Sequence, residues 1–367
     1  MAGMAYDVIV LGARIAGSTL ATLLGQFGLR VLLVDRAKFP SPTLSTHYFR
    51  GGRGVTALKH LGVLESVLAL GCPPLSCQYS YQDGGSDGII QPAQQPGEVP
   101  YCLSVRRVSL DQLLARRAAV VPSVELWEAT RATGLLWEDE RVVGVRLVTP
   151  TGEQTVRARC VVGADGRRSF VATTVGATVQ EEECGHRGIY YCYVRDFPGP
   201  RGAPDGPEFS RIGDELAYVF PSDGGITCLA LSLNLADFAW MRRQPERRFR
   251  ERIAQHHGLA ARFAAATWEG SILGCGPDPN YVRVPYGAGW SLVGDAGLHQ
   301  DPWSGHGMDN ASVHAAFLAE ALQDWLSGAA TERDALDRYH QRRDDDGLDT
   351  YHRTVVISRD MRQPLAA

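Results

Sequence analysis

The sequence predicts an α/β protein: a doubly wound, mostly parallel sheet with a second, antiparallel sheet inserted in pieces. Three observations carry this. The first 35 residues read as strand, glycine turn, helix, strand and acid. Two later apolar runs, Cys160–Gly163 and Leu292–Gly294, also end in glycine and aspartate. Between them, residues 186–233 contain several segments that alternate with period two, the pattern of half-buried strands.

Taken in order, Val8–Leu11 is an unbroken apolar run, as a strand covered on both faces requires. Gly12 permits a sharp turn, and Gly17 lets the next helix pack closely on the strand. The helix places its apolar stripe at Ala16, Leu20, Leu23, Leu24 and Phe27, and Gly28 ends it. Its N-terminal amides suit a pyrophosphate. Val31–Val34 forms the next strand, and Asp35 then stands where a carboxylate accepts hydrogen bonds from a ribose diol. This is a dinucleotide-binding unit. Arg14 occupies the position of the motif's second glycine; its guanidinium can swing outward beside the phosphates.

Residues 39–47 form a loop rich in turn formers, followed by a helix over 52–70 that ends at Gly71. Residues 75–100 are an excursion into a second domain. A further helix begins at Ser109-Leu110-Asp111, with Leu110, Leu113 and Leu114 on one face. Residues 124–165 read as a small antiparallel sheet feeding the strand at Cys160–Gly163. The arginine-rich stretch from Pro245 to Ala266 reads as a surface helix pair, with His256-His257 facing solvent. After the strand at Trp290–Asp295, a helix runs from about Gly305 to Leu326 with its stripe at Val313, Phe317, Ala321 and Trp325. A charged helix follows from Glu332 to about Asp346. The resulting division is 1–75, 101–185 and 270–350 for the nucleotide-binding domain, 76–100 and 186–269 for the second domain, and 351–367 for a tail.

A net charge of −4 gives no reason to expect a nucleic acid or an anionic membrane surface as partner. No apolar run reaches 18 residues, so no membrane-spanning helix is expected. With the first strand reached by residue 7 and no signal sequence before it, a cytoplasmic location is expected. The eight cysteines show no C-x-x-C pair, which points to reduced, mainly buried thiols and to no metal site.

Gly163-Ala164-Asp165-Gly166 and Gly294-Asp295, the latter followed by Asp301-Pro302-Trp303-Ser304-Gly305-His306-Gly307-Met308, join the first motif at the carboxyl ends of strands. Ligands bind at such ends, so the three can surround one extended cofactor. With these motifs the chain resembles the single-component FAD-dependent hydroxylases of the p-hydroxybenzoate hydroxylase type, a superfamily that includes geranylgeranyl reductases and flavin halogenases. A subset also carries Gly-Ala-Arg and Ser-Thr-His, as Gly12-Ala13-Arg14 and Ser45-Thr46-His47 do here. The resemblance implies a glutathione-reductase-like FAD-binding domain with an inserted, mixed or antiparallel substrate-binding sheet. It implies that Gly12, Ala13, Arg14, Ile15, Ala16 and Gly17 cradle the pyrophosphate, and that Asp35 and Arg36 hold the adenosine end. Ser45, Thr46 and Arg107 reach the cofactor; Asp165 and Gly166 border it; Gly294 and Asp295 hold the ribityl chain. Pro302, Gly305, Gly307 and Met308 lie along the isoalloxazine ring. A helix beginning near Gly305 then offers unpaired amides to reduced flavin; the same glycines would also serve a tight turn alone.

The resemblance further implies that NAD(P)H reduces the flavin transiently, since no second dinucleotide motif is present. Molecular oxygen then forms a C4a-hydroperoxide that hydroxylates or epoxidises an aromatic or apolar molecule. The Trp-x-Trp-x-Ile-Pro signature of halogenases is absent, which argues against halogenation. Two alternatives stand beside this: a double-bond reductase acting on an isoprenoid-like substrate, and a flavin-binding protein without turnover. The arginine-rich, lysine-poor composition fits a bacterial enzyme of specialised metabolism. Tyr191, Tyr193 and Arg195 share one face of their strand and, with Tyr218, Phe220 and Trp303, are the expected substrate pocket. His306 and His47 are the acid–base candidates, because imidazole titrates near neutrality.

Overall fold

Val8, Ile9, Val10 and Leu11 are all buried, as their unalternating pattern requires. They belong to β1 (Tyr6–Leu11), the centre of the parallel sheet in the computed structural model, which describes residues 6–45, 48–83, 85–90, 95–200 and 206–362. Gly12 (φ +109°) turns the chain into α1 (Ile15–Gln26), and β2 (Val31–Val34) returns beside β1. Next come β3 (Gln78–Gln82), β4 (Gly85–Ile90), α2 (Arg107–Ala119) and β5 (Val124–Trp127). Strands β6 (Arg131–Glu138), β7 (Arg141–Thr149) and β8 (Gly152–Gly163) follow. Then β9 (Arg187–Arg195), β10 (Glu208–Ile212), β11 (Glu215–Pro221), β12 (Thr227–Asn234) and β13 (Thr267–Cys275) precede β14 (Trp290–Leu292). The chain closes with α3 (Gly307–Ser327) and α4 (Glu332–Arg359).

The parallel strands take the order β5-β2-β1-β8-β14. Leu11 is in register with Val34 and Gly163, and Gly163 with Leu292, so these strands end together. Gly12, Asp35, Ala164-Asp165 and Val293–Asp295 therefore leave one edge of the sheet. On one face, Leu20 and Leu24 of α1 and Ala315, Leu318 and Leu322 of α3 pack on Val8 and Val10. On the other, Leu135, Val145 and Leu147 of β6 and β7 cover Ile9, Leu11 and Leu32. A second sheet has the order β13-β9-β12-β11-β10-β3-β4, antiparallel except between β3 and β10. Along β9, Tyr190, Cys192 and Val194 join a cluster with Phe249, Ile253 and Phe263. Ile189 and Tyr191 face the opposite way, beside Tyr48, Tyr218 and Phe220.

Several expectations need correction. Val124–Trp127 pairs with β2 in the parallel sheet rather than joining the antiparallel hairpin. The helix expected over 52–70 is instead a π-turn (Gly51–Val55) and two short helices, 56–60 and 64–68, separated at Gly62 (φ +70°). α2 begins at Arg107, two residues before Ser109. α1 is buried nearly all round, yet Phe27 at its end is 40% exposed. In α3 the buried apolar residues are Met308, Ala311, Ala315, Leu318, Ala319, Ala321, Leu322 and Leu326; of the stripe read in the sequence, Ala321 is among them, Phe317 and Trp325 pack partly buried against the core, and Val313 is half-buried. α4 does not stop at Asp346 but runs to Arg359: Gly347 sits inside it, its Cβ position only 3.1 Å from Leu298 Cδ1. His256 does not face solvent. It is buried between Ser210 Oγ (3.0 Å) and Glu215 Oε1 (2.9 Å), two neighbours from the second sheet. Among the described residues, six cysteines are buried, Cys184 is exposed, Cys275 is half-buried and none is in a disulfide. Among the described residues, no helix is long and apolar enough to cross a membrane.

Candidate active site

The shared strand edge borders a cleft of about 750 Å³. At its first turn no side chain fits: a methyl on Gly12 would lie 2.3 Å from the Ala164 carbonyl oxygen, and one on Gly17 1.8 Å from that of Gly12. Arg14, Ile15 and Ala16 line the cleft; Ala13 and Gly17 stand behind them. Asp35 accepts from the Ala13 amide (2.8 Å) and the Ala37 amide (2.8 Å), and lines the cleft together with Arg36. The facing wall at this end is Thr130, Arg131 and Ala132, residues at the start of β6 that sequence reasoning missed.

Arg14 does not swing freely. Its Nη1 lies 2.5 Å from Asp111 Oδ2, and further contacts reach Ser41 and the Pro42 carbonyl. Arg107 binds the same carboxylate through Nε (2.9 Å) and Nη2 (3.1 Å). Asp111 is fully buried, so one carboxylate anchors two guanidinium groups on the cleft wall and leaves an excess positive charge there. That is the electrostatics a pyrophosphate wants. Asp111 stands four residues after Arg107 in the sequence, but only the tertiary pairing with Arg14 reveals its role.

Asp165, Gly166, Gly294 and Asp295 also line the cleft. Asp165 Oδ2 accepts from the amides of Phe170 (2.7 Å) and Val171 (3.2 Å), at the start of the helix over 170–175. Its Oδ1 is buried with no partner among the described residues, and burial pushes its pKa up. An orphaned acceptor on a cleft wall fits a ligand that brings a hydroxyl or amide donor. Glycine crowding, a doubled arginine anchor and this orphaned oxygen together fit FAD.

Pro302, Gly305, Gly307 and Met308 line the far end. The Tyr218 hydroxyl donates to Trp303 O (2.8 Å), and Arg50 donates to Ser304 O and Gly305 O (2.8 Å each). His306 caps α3 without lining the cleft. Burial, aided by Arg50 and Arg53, pushes its pKa down to about 3, so the ring is neutral at physiological pH. Thr46 and His47 lie outside the described residues.

Ser45, Tyr48, Ile189, Tyr191 and Cys275 wall the same cleft. The Ser45 amide donates to Tyr191 Oη (3.4 Å), whose pKa burial pushes up to about 12. Of the aromatic residues expected around the substrate, Tyr191 reaches the cleft. Tyr193, Tyr218 and Phe220 stand in the packed cluster beside it. Trp303 is held to α4 by Nε1 donating to Thr354 O (3.0 Å). Arg195 is brought to none of these; it pairs with Glu269 and the Gly224 carbonyl. Tyr48, Ile189, Cys275, His299 and Gln300 were missed, because only the docking of the two sheets assembles them.

Fold and cleft define a flavin-dependent oxidoreductase. The family model described as "FAD binding domain" matches residues 5–197, and the chain belongs to that family. It is 28% identical over 356 residues to the digeranylgeranylglycerophospholipid reductase of Methanosarcina acetivorans, covering 92% of this chain and 80% of that protein. It is 29% identical over 336 residues to the ubiquinone hydroxylase UbiL of Rhodospirillum rubrum, covering 86% and 72%. The crystal structure of PqsL, a probable FAD-dependent monooxygenase from Pseudomonas aeruginosa, has the same fold: TM-score 0.83, 23% identity, and coverage of 96% and 95%.

Proposed function

We propose that the chain is an NAD(P)H- and O2-using monooxygenase acting on a compact, apolar or aromatic small molecule. The single observation carrying this reading is the aromatic cluster packed directly behind the cleft wall at Tyr48 and Tyr191. Tyr48 stacks on Phe220 (centroids 5.2 Å apart), with Phe209 and Tyr218 edge-on or tilted around them, so packed rings occupy the sheet face beside Tyr191. In this reading residues 1–75, 101–185 and 270–350 hold FAD, while 76–100 and 186–269 face the substrate, with β13 extending that sheet to Cys275.

Bound FAD supplies hydride acceptance and oxygen activation. The chain's own residues orient and exclude. Arg14 and Arg107 hold the pyrophosphate, and Asp35 with Arg36 holds the adenosine end. Asp165 and Asp295 accept from the sugar-like hydroxyls. Tyr48, Ile189 and Tyr191 keep the substrate space apolar and dry, which protects a reactive oxygen donor from water. His306, neutral at working pH and off the cleft wall, does not act as an acid on the substrate.

A second reading, reduction of a double bond in an isoprenoid-like substrate, is favoured by the identity to the digeranylgeranylglycerophospholipid reductase. Turnover of a panel of planar aromatics and prenyl lipids with and without oxygen separates the two. The oxygenase reading expects 18O from 18O2 in the product and no anaerobic turnover. Anaerobic saturation of a prenyl lipid overturns it, and a yellow protein that no nicotinamide reduces overturns both.

A further inference from the structure

We propose that Arg50 and Asp309 are a positioning pair that keeps the N-terminus of α3 electrically positive toward the flavin. The inference rests on the placement of the isoalloxazine ring along Pro302–Met308 made above. Asp309 lies in the first turn of α3, and its side chain is fully buried. A bare carboxylate there would cancel the positive end of the helix and oppose the negative charge that reduction places on the ring.

The fold compensates it with unusual thoroughness. Arg50 Nη1 donates to Asp309 Oδ2 at 2.9 Å. The amides of Arg50 (3.1 Å) and Gly54 (3.2 Å) both donate to Oδ1. The Gly54 contact comes from the π-turn Gly51–Val55, and only glycine fits it: a methyl there would lie 2.4 Å from Asp309 Oδ1 and 2.0 Å from the Phe49 ring. Such single-turn π-bulges concentrate at functional sites. Burial pushes the Asp309 carboxyl up, and Arg50 is the strongest influence in the other direction.

The same guanidinium fixes the loop itself. Arg50 holds Ser304 O and Gly305 O, and Tyr218 holds Trp303 O, so three consecutive carbonyls are claimed by donors. In a planar trans peptide the N–H lies opposite the carbonyl, so fixing Gly305 O on Arg50 turns the His306 N–H away from it. Arg50 packs over the Tyr48 ring (5.4 Å) and is not among the residues lining the cleft. The pair acts through the loop and helix, touching neither reactant.

The test is the reduction potential of bound FAD in holoprotein, with FAD affinity and melting temperature measured alongside. R50M is expected to shift the potential negative, D309N to shift it positive, and R50M/D309N to return it toward wild type; R50K retains most of the wild-type value. Melting temperatures that fall while potentials stay fixed would mean a purely structural ion pair and overturn the proposal. Should R50M fail to fold, D309N carries the test alone, because asparagine keeps the size and one acceptor oxygen. G307V, on the cleft wall, checks the ring placement separately. An unchanged flavin spectrum and affinity there removes the premise. A changed spectrum with immobile D309N and R50M potentials removes only the pair.

Discussion

At Gly12 backbone geometry meets the proposed cofactor site at a single atom position. Its φ of +109° is available to glycine alone at low cost, and its missing Cβ is what lets the Ala164 carbonyl pass. G12A therefore forces apart two strand ends that must stay in register. The expected outcome is at least a hundredfold loss in FAD affinity, measured by flavin fluorescence titration, together with a lower melting temperature. His306 makes a second prediction at this scale. Its folded pKa, about 3, lies below the unfolded value of about 6.5. Below pH 6.5 the unfolded ring takes a proton that the folded ring refuses, so the stability His306 contributes is present above that pH and is lost as pH falls toward 3. H306Q should flatten the acid limb of a denaturation series between pH 4 and 7; an unchanged slope would mean the ring protonates freely in the fold. Residues such as Gly12, Asp35 and Asp165 were legible in the sequence because local turn chemistry fixes them. Arg50, Asp111 and Asp309 acquire meaning only from partners 97 or 259 positions distant, a distance that no periodicity spans.

Among elements, strands were read well and helix ends poorly. A buried strand advertises itself as an unbroken apolar run, whereas α4 continues past Asp346 through a mixed sequence whose burial is set by what it packs on. That packing reaches the proposed cofactor end of the cleft. Trp303 donates to the Thr354 carbonyl, and Asp346 binds both Arg53 (2.8 and 2.7 Å) and His314 (3.0 Å). α4 is thus a brace across the loop at Pro302–Gly305 and the start of α3. A chain ending after Asp346 should retain the parallel sheet, since Leu336 and Tyr339 remain in the main core. It loses the Tyr351–Val355 contacts and the Trp303 anchor. The expected result is a folded protein by circular dichroism whose FAD affinity drops about tenfold or more. W303F, which removes one hydrogen bond worth roughly 1 kcal/mol, should give a smaller effect of the same sign.

For the whole molecule, the parallel sheet supplies the cofactor edge and the antiparallel sheet supplies the wall that faces it. In the proposed reading, what differs between substrates is therefore written on that second wall. Its inner face is filled by Tyr48, Phe209, Tyr218 and Phe220 in mutual contact, with Leu75, Cys102 and Cys228 around them. In the proposed reading, a long prenyl chain directed into this face would have to displace packed rings. A compact planar molecule needs no such displacement. Phe220, stacked on the cleft-lining Tyr48, is the place where this constraint can be relaxed with least harm to the cofactor. F220L keeps an apolar side chain but opens space behind Tyr48. The ratio of kcat/KM for bulky over compact substrates should rise about tenfold, with the FAD spectrum unchanged. If wild type already turns over long-chain substrates as efficiently as compact ones, the aromatic wall is not the limit on substrate size, and the reductase reading gains accordingly.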